Sequence, residues 1–325
     1  MNQQDFEQRN APAWQELDTI ITALGKKTTP DTVAKSATFP QLYRQVCHDL
    51  AIARERQYTT HIIDRLNLLM MRGHQYLYSA RAGNITHIFR FIGGGFPALI
   101  RREWRYFWLA CALFYLPGII MGVAVYYWPQ MIYTLVDSNT VMEMDWMYSP
   151  EAPHIGRERG SDDDVQMFGH YIQNNISIGF RTFAGGIFFG IGSIFFLIFN
   201  GLFIGAVAGY LTQRGYIDTF WSFVIGHGAF ELTAIVFAGM AGLKLGFALL
   251  APGRKTRSRA LVDAAHISIK IVYGVIGMLV IAAFIEAFWS SIKLISPTIK
   301  YTVGAGLWSL VIVYFLLFGR RQDAD

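Results

Sequence analysis

Residues 224–243 read VIGHGAFELTAIVFAGMAGL, twenty positions whose ionisable side chains are His227 and Glu231. An α-helix needs roughly 20 predominantly apolar residues to cross the hydrocarbon of a bilayer, and this stretch qualifies with two polar exceptions. The rest of the chain agrees: 53% of its 325 residues are hydrophobic and 16% are charged, too apolar a balance for an ordinary soluble domain. Charge-free runs fall at residues 106–128, 182–213, 219–230, 232–243, 271–285 and 301–319. The chain is therefore read as an integral membrane protein, and its 16 Tyr and 8 Trp suit the two bilayer interfaces.

Lys and Arg favour the cytoplasmic side of a membrane, so their distribution orients the spans. Residues 1–105 hold 14 Lys and Arg against 9 Asp and Glu, ending in RREWR at Arg101 to Arg105. That segment is expected in the cytoplasm. Residues 129–175 reverse the balance, with 8 acids, Asp162, Asp163 and Asp164 among them, against Arg157 and Arg159. This acidic loop is expected to face outward. Arg254, Lys255, Arg257, Arg259 and Lys270, and Arg320 with Arg321 at the C-terminus, face inward again. The parity then calls for an odd number of crossings between residues 176 and 250. Three are chosen, giving six spans at about 106–128, 176–198, 200–213, 219–250, 271–291 and 302–319. Asn200-Gly201 is taken as the break between the second and third spans, with a re-entrant third segment as the alternative.

Residues 1–105 read as helices. Trp14, Leu17, Ile21 and Leu24 recur at helical spacing, as do Leu42, Val46 and Leu50, and then Ile62, Leu66, Leu69 and Met70. Thr38 with Pro40 marks a helix start. Ile85, Ile88, Phe89 and Ile92 form a further stripe, which suits either a helix lying in the membrane plane or a fourth packed helix. The fold class is thus all-α: a polytopic transmembrane bundle of about six spans (106–319) with an N-terminal cytoplasmic helical domain (1–105).

Several functions are excluded or unsupported. No cleavable signal peptide is expected, since the first apolar span begins after residue 105. Cys47 and Cys111 are too few for a disulfide framework or a Cys-based zinc site. The net charge of +5 fits membrane orientation, and no nucleic-acid-reading pattern is present. Gly93 to Gly95 lacks the Lys-Ser/Thr of a phosphate-binding loop, so no nucleotide or other cofactor is expected.

Several stretches together resemble the stage II sporulation protein M family of bacterial membrane proteins. They are LYRQVCHDLAIAR (42–54), LNLLMMRGHQYLY (66–78), FPALIRREWR (96–105), NNISIGFRTFAGGIFFGIGS (174–193), NGLFIGAVAGYL (200–211), HGAFELTAIVFAGMAGLKLG (227–246), PGRKTRSRAL (252–261) and AAFIEAFWS (282–290). The resemblance implies a polytopic helical protein of the bacterial inner membrane. It implies partners among other envelope membrane proteins, since founding members work with peptidoglycan-remodelling proteins and relatives often accompany an AAA+ ATPase. The long N-terminal domain and an extra C-terminal span depart from the compact sporulation type.

Ionisable groups at bilayer depth mark a functional site by default. His227 and Glu231, four residues apart, share one helix face. Glu286 and Arg181 are candidate partners, and Asn174, Asn175 and Asn200 can add hydrogen bonds. Three readings stay open: a satisfied polar network fixing helix register, a proton or ion pathway, and a metal site for which His227 and Glu231 alone are too few ligands. Gly201, Gly205 and Gly209 form a small-residue stripe for close helix packing, within the chain or across a homo-oligomer. The resulting reading is a non-enzymatic component or scaffold of a cell-envelope complex. A transporter or channel using His227 and Glu231 is the alternative, and an intramembrane metalloenzyme stands third.

Overall fold

The computed structural model describes residues 2–24, 38–152 and 164–320. Arg157, Arg159, Asp162, Asp163 and Arg321 lie outside the described residues. The chain forms two compact units, Met1–Arg90 and Phe91–Asp325.

In the first unit, α1 (Gln3–Leu24), α2 (Phe39–Glu55) and α3 (Thr60–Arg90) supply the core. Pro40 sits in the first turn of α2, where its missing N–H leaves no helix bond unmade. The apolar periodicity becomes the buried face: Trp14, Leu17 and Ile21 meet Leu42, Val46 and Leu50, and Ile62, Leu66 and Leu69, with Phe6 and Phe39 closing the ends. The Trp14 indole donates to Asp49 Oδ2 at 2.8 Å, both residues being buried. α3 continues unbroken to Arg90, and Ile88 and Phe89 on its last turns are exposed.

Burial pushes the Asp49 carboxyl above the usual carboxylate range, against the smaller lowering effects of Trp14 and His48. A folded-state value raised above the unfolded one means that the native state holds the proton more tightly. Stability is then greatest below the unfolded value and declines as pH rises through the window up to the raised folded value. Asp49→Asn retains an oxygen acceptor for Trp14 without the buried charge. Hydrogen exchange of α2 in the full chain is expected to be slower in this variant than in wild type at neutral pH. The gap should close on acidification, and a gap that widened instead would contradict the assignment.

The second unit opens with a π turn, Phe91–Gly95, and α4 (Phe96–Arg102), so residues 91–105 belong with the apolar helices that follow. Phe96 stacks edge-on against Phe237 and Phe315 at 5.9 and 5.3 Å. Among the described residues, five helices are long and apolar enough to cross a membrane: α5 (Trp104–Tyr127), then Ile191–Gln213, Ile217–Leu250, Arg257–Ser290 and Pro297–Leu317. Between α5 and the second of these come α6 (Ser138–Tyr148) and α7 (Asp164–Ala184). The remaining four are α8 (Ile191–Gln213), α9 (Ile217–Leu250), α10 (Arg257–Ile285, extended by a π turn Glu286–Ser290) and α11 (Pro297–Leu317).

Glycine contacts fix the directions. A Cβ on Gly201, Gly205 or Gly209 of α8 would overlap the carbonyl oxygens of Phe114, Gly118 and Gly122 of α5 respectively, so residue numbers rise together and the two helices run parallel. The chain must return between them, and α7 makes that return. Gly179 of α7 faces Leu279 and Val275 of α10, and Phe168 faces Phe284 and Phe288, which sets α7 antiparallel to α10. Among the described residues α7 thus runs alongside the five apolar helices, although it is too polar to be recognised as a span by hydropathy. Both ends of the membrane unit come to one face.

The sequence placed the second break at Asn200-Gly201, whereas the chain turns at Gly185–Gly190. Asn200 stays within α8 because its amide donates to Phe196 O at 2.7 Å, satisfying it inside the helix. The actual turn uses Gly190 at φ +83°, a backbone region L-residues rarely enter. There Gly185 and Gly192 approach so closely that a Cβ on Gly192 would lie 2.7 Å from Gly185 Cα. The third span is accordingly a full 23-residue helix, not a re-entrant segment. The fifth and sixth spans begin earlier than read, at Arg257 and Pro297.

Candidate functional site

α9 is the most buried of the apolar helices. It carries His227 about three turns in from its N-terminal end and Glu231 one turn further. His227 Nε2 lies 3.9 Å from Glu231 Oε2, and its Nδ1 lies 3.1 Å from the Ser290 hydroxyl. The ring of Phe223 packs edge-on against the imidazole at 5.2 Å. The π turn that ends α10 brings Glu286 in as a third member: ligand atoms of His227, Glu231 and Glu286 all lie within 4.8 Å of one another. Such single wide turns inside helices re-aim side chains and recur at functional sites.

A pocket of about 200 Å³ borders His227 and Glu231 and is lined on the α6 side by Met144, Met147 and Tyr148. Asp137 caps α6, accepting from the Asn139 and Thr140 N–H groups at 3.1 and 3.0 Å and from the Thr140 hydroxyl at 2.6 Å. Those hydrogen bonds, led by Thr140, hold the Asp137 carboxyl below the usual range. Asp145 of α6 accepts from Tyr210 OH at 2.8 Å and from Arg214 Nε at 3.2 Å, which ties that lining to α8. Two larger grooves, about 520 and 490 Å³, have mainly apolar linings and gather no ionisable cluster.

The other sequence candidates separate. Asn175 is buried, accepts from Asn174 Nδ2 at 3.1 Å and has no partner for its own Nδ2. Just past the end of α7, Gly186 packs on Gly242 and Gly190 on Gly246 of α9. Asn200 is satisfied within α8 by the Phe196 carbonyl. Arg181 is exposed on the outer face of α7 and has no ion pair among the described residues. Gly201, Gly205 and Gly209 all face α5.

Sequence reasoning missed Ser290 and Lys300. Lys300 is 1% exposed and donates to the Ser290 carbonyl at 2.7 Å, at the start of a helix whose charge-free run begins only after it in sequence. The i, i+4 spacing of Glu286 and Ser290 is the one clue available beforehand. It also missed the ion pair of Glu103 and Lys244, 2.8 Å apart and mostly buried, with the Lys244 ammonium 5.4 Å from the Tyr106 ring.

Residues 111–291, more than half of the chain and every helix of this cluster, match the family described as stage II sporulation protein M. The chain belongs to the stage II sporulation protein M family. The match ends at Ser291, so the cluster lies within the stage II sporulation protein M region while Lys300 and α11 lie beyond it. Residues 4–79 match a domain of unknown function, DUF8413. A similar relative is the uncharacterized protein MJ0793 of Methanocaldococcus jannaschii, 29% identical over 124 residues that cover 37% of this chain and 69% of the relative. No solved structure matches.

Proposed function

We propose that this stage II sporulation protein M family member is a non-enzymatic scaffold that assembles with other membrane proteins in a cell-envelope complex. The observation that carries this reading is the outer face of α7. Tyr171, Asn175, Gly179 and Thr182 form its buried side, while Gln173, Asn174 and Arg181 are exposed and Ser177 is half-exposed between them. Gly179 packs against residues midway along α10, so this polar stripe lies at bilayer depth. A charged side chain there costs on the order of 3 kcal/mol on insertion scales, and lipid tails offer it no hydrogen bond. A protein partner does.

Arg181 selects the kind of partner. Two copies related by a two-fold axis along the membrane normal would bring Arg181 towards Arg181, which like-charge repulsion opposes. A spanning helix of a different protein with a carboxylate at that depth complements the stripe, and the amides of Gln173 and Asn174 offer both donors and acceptors. Arg101 and Arg102 at the end of α4, Arg105 in the first turn of α5, and Lys255, Arg257 and Arg259 around the start of α10 support placing those helix ends in the cytoplasm of a bacterial inner membrane. An AAA+ ATPase on that side is the partner class suggested by the family resemblance.

The test is site-specific photo-crosslinking from position 177 in native membranes, followed by mild-detergent purification of wild type and Arg181→Leu. The expected product is a heteromeric adduct whose crosslinked peptide is a membrane span containing Asp or Glu. Its yield should drop about tenfold in the variant, equivalent to 1.4 kcal/mol. Recovery of the chain alone, or equal adduct in both proteins, would count against the scaffold. The buried cluster favours a second reading, an ion pathway. That reading expects Glu231→Gln to abolish flux in liposomes while leaving the adduct intact.

A further inference from the structure

The geometry points to a divalent metal site at His227, Glu231 and Glu286, a proposal independent of the scaffold reading. Three protein ligands with one open position is the arrangement of a solvent- or substrate-accessible transition-metal centre, and imidazole with carboxylates suits zinc and its first-row neighbours. Tetrahedral ligands about 2 Å from a metal stand roughly 3.4 Å apart. The three ligand atoms already lie within 4.8 Å of one another, and side-chain rotation closes the difference.

Four further features agree. In the tautomer protonated on Nδ1, which can donate to the Ser290 hydroxyl 3.1 Å away, His227 presents the Nε2 lone pair on the side of Glu231, the outer-shell arrangement that fixes a metal-binding imidazole. Glu231 and Glu286 with neutral His227 and a dication sum to zero charge, which removes the desolvation penalty of two carboxylates held in a membrane interior. The buried Lys300 ammonium is directed to the Ser290 carbonyl at 2.7 Å. The cavity of about 200 Å³ along His227 and Glu231 supplies room for a fourth ligand. Glu286 has a further interaction of its own, and a carboxylate with two oxygens can hold that and a metal together.

The ligands come from α9 and the end of α10, so the metal would clamp those two helices where the π turn brings Glu286 beside His227 and Glu231. The probe is cobalt(II), whose visible bands intensify in tetrahedral sites and stay weak at octahedral surface sites, with zinc as competitor. The full chain, purified without a histidine tag and stripped with chelator, is expected to bind one cobalt per chain with intense bands that zinc abolishes. The exposed His48, His61, His74 and His87 are a background that persists in all variants. Glu231→Gln and Glu286→Gln should each weaken the banded site by about 100-fold or more. Absence of the bands in folded wild type, or their retention in both glutamine variants, overturns the proposal. Should a variant fail to fold, zinc-dependent hydrogen-exchange protection in wild type decides instead. Protection centred on residues 227–231 and 286–290 supports the site, and protection elsewhere or none overturns it.

Discussion

Gly205→Leu is expected to leave no assembled membrane unit. α8 meets α5 backbone to backbone, and even the first carbon of a side chain at Gly205 would overlap the Gly118 carbonyl oxygen, with Gly201 and Gly209 in the same relation one turn either side. No rotamer relieves that contact, because the obstacle is main chain and not a flexible side-chain end. Gly205→Ala should cost about 3 kcal/mol, the upper part of the range for overpacking a close-fitted interior, since the helices must separate along the whole stripe. Gly277→Ala and Gly306→Ala are the controls: nothing lies within 4 Å of a Cβ at either, and alanine gains up to about 1 kcal/mol of helix propensity. Heating in mild detergent, with the monodisperse fraction read by size exclusion, should rank the variants leucine, alanine, wild type, then the two controls at or above wild type. A folded Gly205→Leu protein would show that α5 and α8 are not held as described.

Trp14→Ala is expected to unfold the first unit. Trp14 is 1% exposed, contacts Phe6 at 5.7 Å between ring centroids, and gives Asp49 its buried hydrogen bond. Deleting a buried Trp costs about 3–5 kcal/mol, and leaving the Asp49 oxygen without its donor adds roughly 1–3 kcal/mol. A domain stabilised by roughly 5–15 kcal/mol does not reliably survive that sum. Trp14→Phe retains most of the apolar volume and separates the hydrogen bond from the packing, so it should show the smaller loss. Because the chain holds two compact units, a single melting temperature is the wrong readout. Amide exchange of residues 42–50 and 62–69 in the full chain is the right one. Near-native protection in Trp14→Ala would contradict the role given to this side chain.

Membrane class, helical class and family were legible from sequence because each is written in local chemistry: apolar run length, a period of 3.6 residues, and several characteristic stretches in fixed order. The same holds for the core of the first unit, whose Leu42, Val46 and Leu50 sit on one helix face whatever they meet. His227 and Glu231 could be paired by eye for that reason, being four residues apart on one helix. α7 could not be ranked as a span in the same way, since its polar stripe hides it from hydropathy. The break misplaced at Asn200 shows a related limit, because an asparagine that bonds its own helix is indistinguishable in sequence from one that ends it.

The composition and periodicity of this chain thus determined by themselves that it is a helical membrane protein with a polar pair in one span and a glycine stripe in another. Tertiary structure alone decided what those features meet. Ser290 reaches His227 across 63 residues of chain, Glu286 joins the pair while Arg181 points away from it, and the glycine stripe closes on α5 within the same chain. The reason is physical: turn geometry and hydropathy act over neighbouring residues, whereas helix direction, register and the π turn at Glu286 are set by which backbones can approach closely enough to pack.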